Sequence, residues 1–350
     1  MTHRCCSNCF SDKSLKAKIN ANGKIKRCFY CKNNENSSIG INQLYPLIQP
    51  LIEVIIRNYP ENIGGLTLTD ILDQEFSLFN TTNYISLIEE ALPIDQKDLL
   101  LKRFAPISKN LPSEWKELKE ELIHNNRFFP QTRLYQDAFL EQGNLFEIFT
   151  NVIEELNYEI NTSDELLRAR ISDKLLIHSE MLKPPREIVS VGRANPDGIS
   201  YLYVAENLDT CLSEVRPSNG QTVYIAQFRP IKDFRVIDLR NPRKDISFLS
   251  LAENDDNDDF KNLIKLVNLL EEFSKELSLP VLPNRSRLDY IPTQFITEFF
   301  KNIGFLGGLM FNSSFGKGYN IVIFDQDLMN CSTTTPIKIY KVKGIDLQYE

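Results

Sequence analysis

Hydrophobic side chains recur at helical spacing through the first half of the chain after residue 40. The clearest run consists of Leu47, Leu51, Val54, Ile55 and Tyr59. These positions lie three or four residues apart and therefore share one face of a helix. The same spacing continues over 71–79, 84–92, 98–104 and 113–123, separated by Pro60, Pro93, Pro106 and Pro112. The pattern predicts a bundle of five to seven helices over residues 41–160.

Three large aromatic residues of this region, Trp115, Phe128 and Phe129, are predicted to anchor its core. Aromatic side chains supply much of the area that a core buries. Packing is therefore favoured over ligand stacking for all three.

After about residue 160 the hydrophobic pattern becomes alternating, which is typical of strands. The predicted strands are Ile199–Ala205, Thr222–Phe228, Phe234–Leu239, Gly307–Asn312 and Tyr319–Phe324. Amphipathic helices are predicted at Phe260–Leu277 and Pro292–Asn302. The segment LLRARI at 166–171 could form a helix or a strand, and only in a strand would Arg168 and Arg170 point to the same face. The predicted fold class is therefore α+β.

Five of the seven cysteines lie in the first 31 residues, and four form two Cys-x2-Cys pairs. Cys6 and Cys9 are separated from Cys28 and Cys31 by eighteen residues, with an Asn-Gly turn between them that predicts a hairpin. Two such pairs can place four thiolates around one tetrahedral Zn²⁺. The sequence predicts a structural zinc module at 1–38 and leaves open whether Cys5 replaces Cys6 as a ligand.

The stretch GRANPDGISYLYVAENLDTCLSE at 192–214 carries the strongest candidate chemistry. A turn-forming loop is followed by the predicted strand and then by a short helix with Asp209 or Thr210 as N-cap. This order brings Arg193, Tyr203 and Glu214 towards one cleft. Near the C-terminus, Ser313 and Ser314 end a predicted strand next to glycines, where hydroxyl and N–H groups can face an anion.

Several motifs together resemble the RES domain family, which is known for bacterial toxins that degrade NAD. They are LLRARI, GRANPDGISYLYVA, TCLSEV, FRVIDL and FNSSFGKGYNIVIF, and they occur in order over 166–324. The resemblance implies a RES domain at 161–350, with an α/β fold related to ADP-ribosyltransferases, a mostly antiparallel sheet and an NAD cleft. The segment SEV contains one glutamate, Glu214. It lacks the pair of glutamates that is typical of transferases that modify protein side chains.

The resemblance also implies roles for the candidate residues. Glu214 would stabilise positive charge that develops on the ribose, or orient the ribose hydroxyls. Arg193 and one of Arg168 or Arg170 would bind the diphosphate, because guanidinium groups suit it best. Tyr203 would stack on nicotinamide or donate a hydrogen bond to it. Ser313 or Ser314 would position phosphate or ribose, with Ser313 preferred by pattern.

The helical region before the RES motifs is similar to the HEPN-like domains that precede RES in longer proteins. Active HEPN ribonucleases require an arginine a few residues before a histidine. His3, His124 and His178 lack an arginine at that spacing. Ribonuclease activity is therefore not expected, and a regulatory or recruiting role is predicted for residues 41–160.

Charge and hydropathy restrict where the protein is expected to be located and which partners it is expected to bind. The formal net charge of −7 argues against a broad nucleic-acid surface. No apolar run is long enough to span a bilayer, and the N-terminus MTHRCCSNCF lacks the apolar core of a signal peptide. We therefore expect a cytoplasmic protein with NAD as substrate and an antitoxin, immunity protein or defence trigger as partner. A homo-oligomer is compatible with the sequence.

The leading functional hypothesis is an NAD glycohydrolase or NAD phosphorylase that acts as a toxin or phage-defence effector. One alternative is an ADP-ribosyltransferase that modifies a macromolecule. Another is a zinc-dependent binding protein without catalytic activity. The sequence does not distinguish hydrolysis, phosphorolysis and transfer.

Overall fold

A computed structural model describes residues 3–107, 111–253, 260–279, 287–315 and 317–344. Its helices, in chain order, are α1 (Lys13–Asn22), α2 (Tyr45–Asn58), α3 (Leu68–Gln74), α4 (Tyr84–Ala91), α5 (Leu111–Glu120), α6 (Arg133–Ala138), α7 (Phe146–Glu155), α8 (Leu208–Glu214), α9 (Pro242–Asp245), α10 (Phe248–Glu253), α11 (Phe260–Ser278) and α12 (Ile291–Asn302).

The strands, in the same order, are β1 (Arg4–Cys6), β2 (Lys24–Ile25), β3 (Ser37–Gly40), β4 (Glu61–Thr67), β5 (Arg103–Phe104), β6 (Asn157–Ile160), β7 (Leu166–Ile171), β8 (Leu202–Ala205), β9 (Thr222–Pro230), β10 (Phe234–Asp238), β11 (Gly308–Asn312), β12 (Tyr319–Ile323), β13 (Met329–Cys331) and β14 (Lys338–Lys341). The mixed α+β class is confirmed. Within the described residues, no helix combines the length and apolar character that a membrane crossing needs.

The chain divides into two compact units. The first comprises Met1–Pro112, Glu147–Glu155 and Asn241–Leu269, and the second comprises Ser113–Phe146, Leu156–Arg240 and Leu270–Glu350. Six α-helices, α2 to α7, lie in the described part of the region predicted to be helical. Because α5 and α6 belong to the second unit, the predicted bundle is divided between the two. The boundaries of the three predicted domains remain predictions.

The first unit contains a small antiparallel sheet with the strand order β1–β3–β2. The segment between the two cysteine pairs is helix α1, so the predicted hairpin is wrong. Asp12 explains the helix, because its side chain accepts a hydrogen bond of 2.9 Å from the Leu15 N–H at the N-terminus. Leu15 and Ile19 then bury one face of α1. A second feature absent from the sequence prediction is the two-stranded sheet formed by β4 and β5.

Only one of the three predicted aromatic anchors lies in a core. Trp115 is 1% exposed and packs edge-on against Phe273, with ring centroids 4.9 Å apart. Phe128 and Phe129 are 82% and 74% exposed, so the prediction is wrong for both. They lie in a bend after the helical turn Glu121–Asn125, so their aromatic character alone did not place them in the core.

The second unit is built on a nine-stranded sheet with the order β13–β9–β7–β8–β12–β11–β10–β6, in which β14 also pairs with β9. All described pairs are antiparallel except that of β10 with β11, as the family resemblance implied. LLRARI forms strand β7, between β9 and β8, which decides between the two alternatives for this segment.

Strands β7 and β8 separate after a single paired position. β7 pairs with β9 over all six of its residues, whereas it pairs with β8 only through Leu167 and Ala205. Beyond that pair, the Tyr203 carbonyl oxygen accepts a hydrogen bond of 2.8 Å from Arg168 Nη1. The arginine side chain thus takes the place of a backbone N–H of the neighbouring strand. The gap between the two strands forms one side of the candidate site.

Candidate functional site

A cavity of about 700 Å³ opens where β7 and β8 part. Cavities of roughly 300–1,000 Å³ are typical of small-molecule and cofactor sites. The charged groups among the described residues that line it are Arg168, Arg170, Arg193, Arg216 and Glu214. Four guanidinium groups and one carboxylate, in a chain of net charge −7, suit an anionic ligand.

The loop that carries Arg193 is held in place by the first turn of α12. Gln294 Nε2 donates to the carbonyl oxygens of Gly192 at 2.8 Å and Asn195 at 3.1 Å, and Thr293 Oγ1 donates to that of Arg193 at 2.6 Å. A β-carbon at Gly192 would lie 2.4 Å from Asn195 Oδ1 and 3.2 Å from the Tyr203 hydroxyl. A side chain at position 192 would therefore displace Asn195 Oδ1, which accepts the hydrogen bond from Tyr203.

The Arg193 guanidinium is half-buried at the cavity wall. Its Nη1 donates to the Leu277 carbonyl oxygen at the end of α11 and lies 3.5 Å from Ser314 Oγ. Burial lowers the pKa of Arg193, while the nearby Glu214 carboxylate favours its charged form. Ser314 itself donates to the Ser278 carbonyl oxygen, so its hydroxyl stabilises the end of α11.

Tyr203 is fixed by the same loop. Its hydroxyl donates to Asn195 Oδ1 at 2.8 Å and accepts a hydrogen bond of 3.2 Å from the Ala194 N–H. Burial raises the pKa of Tyr203 to about 12. The hydroxyl donates its one proton to Asn195 and cannot also donate it to a ligand. The ring is therefore the part of Tyr203 that can contact a ligand.

Glu214 is the last residue of α8 and receives two hydrogen bonds on one oxygen. Ser313 Oγ donates to Oε1 at 2.6 Å, and Asn320 Nδ2 donates to the same atom at 2.7 Å. Ser313 follows β11, and its N–H bonds the Gly318 carbonyl oxygen at 2.9 Å to close the hairpin with β12. Neither Ser313 nor Ser314 is among the described residues that line the cavity.

Arg168 and Arg170 project from the same face of β7 and both line the cavity. Arg168 Nη1 bonds the Tyr203 carbonyl oxygen, and its buried Nε has no hydrogen-bond partner among the described residues. Burial, with a smaller contribution from Arg170, lowers the pKa of Arg168 to about 10. Arg170 Nη2 donates to the Leu182 carbonyl oxygen at 2.8 Å. Both remain cationic at neutral pH.

The cap of α8 differs from the prediction. Asn207, not Asp209 or Thr210, is the N-cap, and its side-chain oxygen accepts a hydrogen bond of 2.9 Å from the Thr210 N–H. The helix thus begins earlier than predicted. Cys211 is buried and Leu212 packs in the same hydrophobic cluster, which fixes the helix that carries Glu214.

Sequence reasoning did not identify Asn320 and Arg216. Asn320 lies within the motif FNSSFGKGYNIVIF, but as an asparagine inside a predicted strand it was not singled out. Arg216 lies two residues after Glu214 and adopts a positive φ of 45°, which is uncommon for a residue other than glycine. Its guanidinium carbon lies 4.4 Å from the centre of the Phe315 ring. The proximity of Arg216 to Glu214 in sequence was the available signal.

The four predicted metal ligands form a separate cluster. The sulfur atoms of Cys6, Cys9, Cys28 and Cys31 all lie within 4.8 Å of one another. Individual separations are 3.3 Å for Cys6 to Cys31, 3.4 Å for Cys9 to Cys28 and 3.9 Å for Cys6 to Cys9. Four thiolates around tetrahedral Zn²⁺ would be about 3.8 Å apart, since Zn–S bonds are about 2.3 Å long. The cluster fits such an ion.

Cys5 lies outside this group. It is fully buried in β1, opposite Ile39 of β3. Burial raises the pKa of Cys5 to about 12, which disfavours the thiolate form. The structure thus places Cys6, and not Cys5, in the four-cysteine cluster.

The fold and the site define an α+β protein with a cationic cavity of about 700 Å³. The sequence profile of the RES domain family matches residues 166–342, half of the chain, and this chain belongs to that family. The match covers β7 to β14 and all the cavity residues described above.

Comparison with curated proteins found no match. Among solved structures, a chain of the crystal structure of the M. tuberculosis MbcT–MbcA toxin–antitoxin complex is similar over 57% of this chain and 94% of its own length. The sequence identity is 13% and the TM-score is 0.28.

Proposed function

We propose that this protein degrades NAD by cleaving the bond between nicotinamide and ribose. The cavity itself supports the proposal, because its described lining contains four arginines and one carboxylate, that of Glu214. NAD presents a diphosphate for guanidinium groups and a ribose that becomes positively charged as the bond breaks. Family membership adds support, because the known RES proteins named by the resemblance act on NAD.

The leaving group explains why one carboxylate suffices. Nicotinamide departs with the electron pair of the C1′–N bond and becomes neutral, so no acid is needed to protonate it. The ribose carbon develops positive charge, which the Glu214 carboxylate stabilises. Water then adds its oxygen to C1′ and releases a proton. Phosphate in place of water would give the phosphorylated sugar.

The other predicted residues receive binding roles in this proposal. Arg193 contacts the diphosphate together with Arg168 or Arg170, and the Tyr203 ring packs on nicotinamide. Ser313 orients Glu214 through its hydrogen bond of 2.6 Å. A nucleophilic role for Ser313 is not proposed, because its hydroxyl donates to a carboxylate that has no histidine among its described partners.

We also propose that the four-cysteine cluster holds a structural zinc ion. Zinc would link β1 to the segment around Cys28 and Cys31 and so stabilise a module with few core residues. The HEPN resemblance of the helical region and the ancestry shared with ADP-ribosyltransferases belong to the same set of proposals.

In the cell, we propose a toxin or phage-defence effector that depletes NAD. Such an activity requires an antitoxin, an immunity protein or a trigger as partner. A cytoplasmic location follows from the substrate and from thiols that need a reducing compartment.

The test is incubation of the purified protein with NAD, with and without inorganic phosphate, and chromatography of the products. Free nicotinamide together with ADP-ribose would indicate hydrolysis, and a phosphate-dependent product would indicate phosphorolysis. An ADP-ribosylated macromolecule would support the transferase alternative. Absence of NAD turnover would contradict the proposal and favour a binding protein.

A further inference from the structure

Asn320 contacts the Glu214 carboxylate, although its position within a predicted strand suggested no role for it. It lies in β12, is 6% exposed, and donates to Glu214 Oε1 over 2.7 Å. We infer that Asn320 is a positioning residue that presents Glu214 to the substrate through one carboxylate oxygen. This inference rests on the proposed cleavage of NAD.

The hydrogen bonds around Glu214 are distributed unequally between its two oxygens. A carboxylate oxygen has two lone pairs, and Oε1 uses both, one for Ser313 and one for Asn320. No described residue donates a hydrogen bond to Oε2. Oε2 therefore remains as the oxygen that can contact the ribose, and its direction is set by the two donors on Oε1.

The sheet fixes the position of the Asn320 amide. Asn320 pairs with Ala205 of β8 on one side and with Phe311 of β11 on the other. A residue between two paired strands has little freedom to move its backbone. The donor on Ser313 lies in the hairpin outside the strands, so Asn320 provides the more rigid of the two contacts.

The amide also has an electrostatic effect. A hydrogen bond donated to a carboxylate stabilises its ionised form. The carboxyl group introduced by Asn320→Asp can donate to Oε1 only while it is protonated, and once ionised it repels Glu214. The activity of Asn320→Asp relative to that of Asn320→Ala should therefore fall as pH rises, which distinguishes positioning from a purely structural role.

The experiment compares Asn320→Ala and Asn320→Asp with the wild-type protein in nicotinamide release from pH 5 to 9. For Asn320→Ala, kcat should fall at least about tenfold near pH 7, the size expected for a lost bond to a charged group, while KM changes little. Asn320→Asp should be more active at low pH, where the new carboxyl group is protonated and can donate to Oε1.

Asn312→Ala is the matched control, because Asn312 lies on the same hairpin and donates to the Arg240 carbonyl oxygen at 2.8 Å, away from Glu214. It should keep wild-type kcat and pH profile. If Asn320→Ala does not fold, the near-isosteric Asn320→Asp still tests the inference.

Two results would overturn the inference and differ from a failure of the proposed function. If the wild-type protein releases nicotinamide and Asn320→Ala has the same kcat, the positioning role is contradicted. Equal losses in both variants at every pH would show a structural role only. No nicotinamide release from the wild-type protein would instead contradict NAD cleavage and remove the basis of the inference.

Discussion

At the residue level, the four arginines of the cavity have different surroundings. Arg168 is committed to the Tyr203 carbonyl oxygen and Arg170 to that of Leu182, so both also support the fold. Arg216 is exposed and stacks on Phe315. Arg193 also donates to a backbone carbonyl oxygen, that of Leu277, but it lies on the loop held by α12 and close to the Glu214 carboxylate.

Replacement of Arg193 should therefore impair binding more than chemistry. Its contacts to the diphosphate would exist in the ground state and the transition state alike, so Arg193→Ala should raise KM for NAD about tenfold or more and lower kcat less. Arg193→Lys should rescue only part of the loss, because one ammonium cannot copy a planar fork. Steady-state kinetics measures KM and kcat.

Arg186→Ala is the control, because Arg186 is an exposed arginine outside the cavity. An unchanged KM for Arg193→Ala would refute the role of Arg193 in binding.

Local sequence identified Arg193, Tyr203 and Glu214 as candidates because they surround one predicted strand. It did not identify Asn320, since the contact with Glu214 depends on the register between β12 and β8. It also did not predict that Ser313 and Ser314 diverge, one towards Glu214 and the other towards the end of α11. Non-local pairing, and not composition, decides such contacts.

At the element level, the separation of β7 from β8 creates the space for a ligand. Alternation predicted the strands to within a few residues, but their order in the sheet is a property of long-range pairing that no local pattern contains. Helix α1 forms where a hairpin was predicted, and the cause is local. The Asn-Gly turn alone had suggested strands, whereas Asp12 caps the segment as a helix.

The cap of α8 provides a test at this level. Asn207→Ala should lower the free energy of unfolding by about 1 kcal/mol, because the Thr210 N–H loses its partner. Asn207→Ser should restore most of this stability. Chemical denaturation of the two variants measures the difference. Equal stability of Asn207→Ala and the wild type would show that the cap contributes nothing.

At the scale of the whole molecule, the core of the second unit extends beyond the RES match. Trp115 packs on Phe273, and its Nε1 donates to Glu276 Oε1 at 3.0 Å. Trp115 precedes the RES match at 166–342, yet it belongs to the same compact unit. The sequence placed it in a helical domain because helical periodicity does not reveal which core a helix joins.

Trp115→Ala should accordingly destabilise the second unit by about 3 kcal/mol or more, since it removes a buried aromatic side chain. Phe128→Ala is the control, because Phe128 is 82% exposed and its loss should change stability by less than about 0.5 kcal/mol. Thermal and chemical unfolding of both variants would provide the comparison. Similar stabilities would contradict the assignment of Trp115 to this core.

The zinc proposal is tested by metal analysis of protein purified under reducing conditions. We expect one zinc ion per chain and its loss in Cys28→Ser, because three thiolates bind zinc much less tightly than four. Cys5→Ser should retain the metal, since Cys5 lies outside the cluster. A wild-type protein without zinc would refute the site, and loss of zinc in Cys5→Ser would refute the ligand assignment.

Glu214 is the residue proposed to supply the chemistry of NAD cleavage. Its role is tested by nicotinamide release and NAD affinity for Glu214→Gln, which keeps the size of the side chain and removes its charge. We expect turnover to fall at least about 100-fold, the size seen when a transition-state contact is lost, while NAD affinity changes little. Near-normal turnover with a marked loss of affinity would contradict this expectation and make Glu214 a ribose-binding group.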